Sequence, residues 1–199
     1  EVMFKHHPVN IDIAGTVSSI NEITKEDLYL CYETFYHPSN MTLFIIGNFD
    51  PDSMMAVIEE NQKQKSFIQT GEIKRFYPEE PVEVAMKEHQ FTMQVSIPRL
   101  TVGIKESQAP LMGDEYLIRN LLQSMVVDFY FSRSGSYYQR LYEEQLIDRS
   151  FSFNSTLEKN FGYTMIGSNT KEPEKLKEML FEMLLETKNH RFTELKINL

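Results

Sequence analysis

The sequence predicts an α+β fold, a largely antiparallel sheet with helices packed on one face. Three observations carry that expectation. Apolar residues recur at spacings of three and four in long segments, the mark of amphipathic helices. Other segments alternate or stay apolar for about six residues, as strands do, and two of them follow one another directly near the C-terminal end. The composition, 41% hydrophobic and 25% charged with 14 Phe and 10 Tyr in 199 residues, is that of an ordinary folded chain with ample core material.

From the start to about Ser19 no element is expected. Thr24 is a natural N-cap with Asp27 three residues on, and Leu28, Cys31, Tyr32 and Phe35 then form one apolar face up to the break at His37-Pro38. Met41 to Ile46 reads as a buried strand closed by Gly47-Asn48. Asp50-Pro51 is a helix start, with Met54, Met55, Val57 and Ile58 on the core side. Residues 61–81 are polar, aperiodic and interrupted by Gly71, Pro78 and Pro81, so they read as a linker between a first region, 1–60, and a second, 82–199.

In the second region Phe91, Met93, Val95 and Ile97 alternate with polar residues, Pro98 breaks the run, and Leu100, Val102 and Ile104 resume it, as in a bent or edge strand. A long helix is expected from Asp114 to about Phe131, a turn at Ser132 to Ser136, and a shorter helix from Tyr137 to Glu144. Phe151–Phe153 and Tyr163–Ile166 read as paired strands, and a last helix begins around Pro173.

The chain holds 20 Lys plus Arg against 29 Asp plus Glu, a net charge of −9, which argues against nucleic acid as a partner. A lone cysteine, Cys31, excludes an internal disulfide and fits a reducing compartment, so a cytoplasmic location is expected. No run approaches the ~18 apolar residues of a membrane span, and no secretory signal is expected. The first residue is Glu1 rather than Met, and the chain reads as a piece of a longer protein.

Chemistry is sparse. His6, His7, His37, His89 and His190 include no pair three or four apart, so no helical face presents two imidazoles, and Cys31 has no ligand companion nearby. No metal site is expected. The adjacent carboxylates Glu59-Glu60, Glu79-Glu80 and Glu143-Glu144 point apart on a helix or strand and read as solvated charge. The serine-rich Ser132–Ser136 segment lacks the first glycine of a nucleophile elbow, and no glycine-rich phosphate loop occurs. No catalytic residue is expected within the chain.

One longer pattern is informative. His7-Pro8, Gly15-Thr16, Ile20, Ile23 to Leu28, Phe35-Tyr36-His37-Pro38-Ser39-Asn40-Met41-Thr42-Leu43 and Gly47-Asn48-Phe49-Asp50, taken together, resemble the insulinase/pitrilysin (inverzincin) family of zinc peptidases, and within it a bacterial branch of Zn-dependent peptidase-like proteins. The string covers about the first 50 residues. The remainder resembles the family's following domain through its order of strand, long helix and strand pair.

The resemblance implies the fold shared with processing peptidases, repeated in tandem, with halves that close a chamber around an unfolded peptide. It also implies an H-x-x-E-H helix and a distant Glu that hold zinc. Those residues do not occur in this sequence, so no catalytic position carries over, and zinc is expected in the parent protein rather than here. Residues 1–60 would then be the C-terminal part of the zinc-bearing domain and 82–199 the following homologous domain.

Active relatives also place an Arg and a Tyr about seven apart to bind substrate. In Leu141–Asp148 those positions hold Tyr142 and Asp148, one residue short. The implied role is an internal scaffold and peptide-chamber portion of a zinc metalloendopeptidase. The alternative is a non-catalytic structural or peptide-binding partner subunit. The expected partners are the remainder of its own polypeptide, a peptide substrate and a homologous partner subunit, with no nucleic acid and no membrane.

Overall fold

The computed structural model describes residues 2–67, 71–107 and 112–189, so His190 lies outside the described residues. Contacts divide the chain into two units, Ile11–Phe76 and Glu1–Asn10 with Tyr77–Leu199. Residues 1–10 thus group with the second region rather than with the first.

In the unit Ile11–Phe76, local signals set the helices. Helix α1 (Val17–Glu22) starts at Thr16, whose hydroxyl accepts from the Ser19 N–H while Ser19 caps the Thr16 N–H in return. It lies in a segment where no element was expected; a serine in place of the usual Glu or Gln makes its capping box hard to read. Helix α2 (Lys25–Phe35) has the expected box: Thr24 Oγ1 accepts from the Asp27 N–H at 3.1 Å, and Asp27 Oδ2 accepts from the Thr24 N–H at 2.9 Å. His37, extended before Pro38, ends the segment. Helix α3 (Pro51–Lys63) is capped by Asp50, as its Asp-Pro start predicts.

The expected strand at Met41–Ile46 does not form, and its residues are exposed. Among the described residues its apolar run has no strand beside it to take up its backbone hydrogen bonds, and an unpaired strand has no stability of its own. Among the described residues of this unit none is buried.

The other unit contains the sheet. Strands β1 (Arg99–Lys105), β2 (Ser152–Leu157) and β3 (Gly162–Asn169) form an antiparallel sheet of order β1-β3-β2. Val102 and Phe153 stand opposite Ile166 on either side. Helices α4 (Gly113–Phe131), α5 (Ser136–Glu143) and α6 (Pro173–Asn189) cover the face that Val102, Phe153 and Ile166 share. Their core contacts are Tyr130, Phe131, Tyr137, Leu141, Leu176, Leu180 and Met183, joined by Leu146 and Ile147.

The alternating run Phe91–Ile97 is not a strand either, and Phe91, Met93 and Val95 are exposed. The ladder begins only after Pro98, at Arg99, because the backbone of 91–97 finds no partner among the described strands.

The opposite face of the sheet carries Lys105, Tyr163 and Met165. The segment 2–7 packs there: Phe4 meets Tyr163 edge-on at 6.4 Å, and the Ala85 and Met86 N–H groups donate to the carbonyls of Met3 and Val2.

Leu141 is fully buried at the meeting of α5, α6 and the sheet. Leu141→Ala is expected to cost about 2–5 kcal/mol, read as a lowered urea midpoint with an unchanged slope.

Candidate functional site

Two places in the sheet-bearing unit concentrate side-chain chemistry. The first is a cleft of about 550 Å³ where the end of α4, α5 and the start of β2 meet. Phe131, Tyr138, Phe151 and Phe153 supply its aromatic wall, and the exposed Arg133, Tyr142, Asp148 and Arg149 complete it. Tyr138 stacks parallel to Tyr142 at 6.1 Å and meets Phe151 edge-on at 5.5 Å.

Two turns hold this cleft. Between α4 and α5, the Gly135 N–H donates to the Ser132 carbonyl at 2.7 Å, and a Cβ on Gly135 would collide with the Phe129 and Tyr130 carbonyls. After α5 the chain closes in a Schellman turn: the Leu146 N–H donates to the Leu141 carbonyl and the Gln145 N–H to the Tyr142 carbonyl, both at 3.0 Å. Gln145 takes φ +56°, a position that glycine usually fills.

Asp148 follows at once. Its Oδ1 accepts from the Ser150 N–H at 2.8 Å and from the Ser150 hydroxyl, and its own N–H donates to the buried Ser168 Oγ. The Ser150 hydroxyl and N–H, with Ser168 and Arg99 adding to them, hold the Asp148 carboxyl below the usual carboxylate range.

The second place is a clamp on the other face of the sheet, beside a cleft of about 430 Å³. Glu80 accepts from three successive backbone N–H groups, those of Lys5, His6 and His7, at 2.8, 2.7 and 2.7 Å. It also pairs with Lys105, whose Nζ donates in addition to the Pro81 and Glu83 carbonyls and lies 4.9 Å from the Phe4 ring centre. Both side chains are nearly closed to water, 10% and 5% exposed. Burial alone would raise the Glu80 pKa, but Lys105 and the three N–H donors overcome it and hold the group at about 2.

His7 is buried beside this clamp, tilted against Phe161 at 4.7 Å. Its Nδ1 accepts from the Val9 N–H, which places the ring proton on Nε2, an atom with no hydrogen-bond partner among the described residues. Burial lowers its pKa, against a smaller opposing effect of Glu80.

The structure sorts the residues singled out in the sequence. His6 contributes its backbone to the clamp, His37 caps a short 3-10 turn, and His89 is exposed near Phe91. The pair Glu79-Glu80 is not simply solvated charge, since Glu80 is the buried centre of the clamp. Tyr142 and Asp148 both line the first cleft. Among the described residues no three of His, Cys, Asp and Glu gather to hold a metal ion, so these residues do not fit a zinc site. Sequence reasoning missed Arg133, Arg149 and Lys105, because no local motif marks them.

No helix of the described residues is long and apolar enough to cross a membrane. Residues 22–198 match the family described as peptidase M16 inactive domain. The chain is 45% identical over 185 residues to the uncharacterized zinc protease YmfH of Bacillus subtilis (strain 168), across 93% of this chain and 43% of that protein. It is 32% identical over 59 residues to the uncharacterized zinc protease ML0855 of Mycobacterium leprae (strain TN), across 30% of this chain and 13% of that one. The crystal structure of an M16-like peptidase from Alicyclobacillus acidocaldarius matches with a TM-score of 0.86 at 44% identity, over 95% of this chain and 44% of the other. The chain therefore spans less than half the length of these relatives.

Three outcomes follow from the geometry. Gln145→Gly is expected to stabilise the fold by about 0.5–1 kcal/mol in urea denaturation, since it relieves the left-handed backbone. Stability measured against pH should fall in two stages. Below about 6.5, the ordinary value of histidine, the unfolded chain takes up a proton that buried His7 resists. From about 4.5 down to about 2 the same holds for Glu80. Glu80→Gln should abolish its part of the lower stage and cost about 3 kcal/mol at neutral pH, because it leaves Lys105 buried without its counter-charge.

Proposed function

The chain belongs to the peptidase M16 inactive-domain family, and from that premise we propose that it is the scaffold portion of a zinc metalloendopeptidase, a chamber wall that positions peptide for hydrolysis at zinc held elsewhere in the parent protein. In this reading residues 1–60 complete the zinc-bearing domain, 61–81 link, and 82–199 belong to the following homologous domain, even though residues 1–10 and 77–81 pack within the sheet-bearing unit. The exposed free thiol of Cys31 suits a reducing cytoplasm.

The observation that carries the reading is the orientation of α4. Its polar residues face the sheet: the Tyr116 hydroxyl donates to the Leu157 carbonyl at 3.0 Å, Arg119 pairs with Glu106 at 3.3 Å, and Gln123 Nε2 donates to Thr164 Oγ1 at 3.0 Å. Its apolar stripe, Leu117, Ile118, Leu121, Leu122 and Met125, is 51–56% exposed. A helix so oriented is half of an interface. The remainder of its own polypeptide is the occupant that fits, given relatives more than twice as long.

A second reading, a non-catalytic partner subunit of the same fold that binds peptide, is favoured by Tyr142 and Asp148. A phenol and a carboxylate stand where the family resemblance implies an Arg and a Tyr, and a carboxylate cannot stabilise a developing oxyanion.

Zinc titration and peptide cleavage decide between them. The 199-residue chain is expected to bind no stoichiometric zinc and cleave no unfolded peptide, while the parent protein does both and loses cleavage to a chelator. Tight one-to-one zinc in this chain alone would overturn the scaffold reading. A parent that binds no zinc and cleaves nothing would leave the partner-subunit reading.

A further inference from the structure

The cleft between α5 and β2 has a feature that the scaffold reading does not use. Of the described arginines, Arg75, Arg99, Arg119 and Arg140 each have a side-chain partner: Asn40; Ser152 with the Ser150 carbonyl; Glu106; and Glu182 with Glu186. The guanidinium groups of Arg133 and Arg149 have none among the described residues, and both line this one cleft. The chain carries nine net negative charges, so two free cations at one place are not a product of general basicity.

The surroundings say what they would meet. β2 is an edge of the sheet, so among the described residues its outer N–H and C=O groups have no strand partner, and only the Leu157 carbonyl at its far end is taken, by the Tyr116 hydroxyl. Phe151 and Phe153, at and just before the start of that edge strand, turn aromatic surface into the cleft. An extended chain laid along β2 would complete its backbone hydrogen bonds and send alternate side chains into the cleft. Asp148, the cleft's one carboxylate, already spends Oδ1 on Ser150 and lies in the field of Arg99, so it does not neutralise both guanidiniums.

We propose that this cleft docks an extended acidic peptide as an added strand on β2, with Arg133 and Arg149 pairing with its carboxylates. The proposal rests on the peptide-positioning reading and adds to it a preference for Glu and Asp. Guanidinium groups suit the role, since each offers a two-pronged donor to a carboxylate. Two cations without a longer basic track do not suit a nucleic acid backbone.

The test is fluorescence anisotropy of the full chain with a labelled eight-residue peptide that alternates Glu with Val or Thr, against its Gln-for-Glu counterpart. The Glu peptide is expected to bind about tenfold more tightly, with the preference shrinking as salt is added. Arg133→Gln with Arg149→Gln should erase the preference, the double Lys variant should keep part of it, and Lys171→Gln, away from the cleft, should leave it intact. Both arginines are exposed, so circular dichroism of each variant should match the parent chain. Equal binding of the two peptides overturns the acidic preference and leaves peptide docking standing. No binding of either overturns both. A preference that survives the double Gln variant overturns the assignment to this cleft.

Discussion

The double pairing of β3 is the constraint on which the sheet-bearing unit depends. Ile166 has Val102 on one side and Phe153 on the other, and the three form one row of the face that α4, α5 and α6 cover. The row is tight at its next position, where a Cβ on Gly167 would strike the Leu100 carbonyl and Thr101. A glycine there lets β1 lie flush against β3. Because β2 pairs with β3 alone among the described strands, the same ladder that builds the core also leaves the start of β2 without an outer strand beside the aromatic cleft.

The opposite face depends on a different physics. A buried carboxylate–ammonium pair gains little over an apolar contact unless every remaining polar site is matched. Here it is matched: three N–H donors complete Glu80, and two carbonyls and an aromatic face complete Lys105. The clamp therefore joins three stretches far apart in the chain, 5–7, 80–83 and the end of β1, which hydrophobic packing alone would leave loosely ordered.

What could be read in the sequence was what is local. The Thr24–Asp27 box, the Asp50-Pro51 start, the helix from Asp114 to about Phe131 and the β2–β3 pair all depend on neighbours within a few residues, and all appear where expected. The runs 41–46 and 91–97 misled because an apolar or alternating run is only half a strand, the other half being a partner that the run does not encode. Glu80 looked like one of three surface acid pairs because Lys105 lies 25 residues away and the N–H donors more than 70 away. The family resemblance was carried by residues 7–50. The two arginines of the cleft fall outside that string and could be recognised only once the other described arginines, Arg75, Arg99, Arg119 and Arg140, had been given their partners.

The outward stripe of α4 also bears on how such a chain comes into being. Residues 113–131 are made before the strands β2 and β3 that pack against their inner side, so both sides of the helix are uncovered as it emerges. The inner side is closed when the sheet assembles; the outer side is not. A newly made chain with that surface is a natural client for a chaperone, and its yield in a cell would be set by how quickly the stripe is covered rather than by how stable the sheet is.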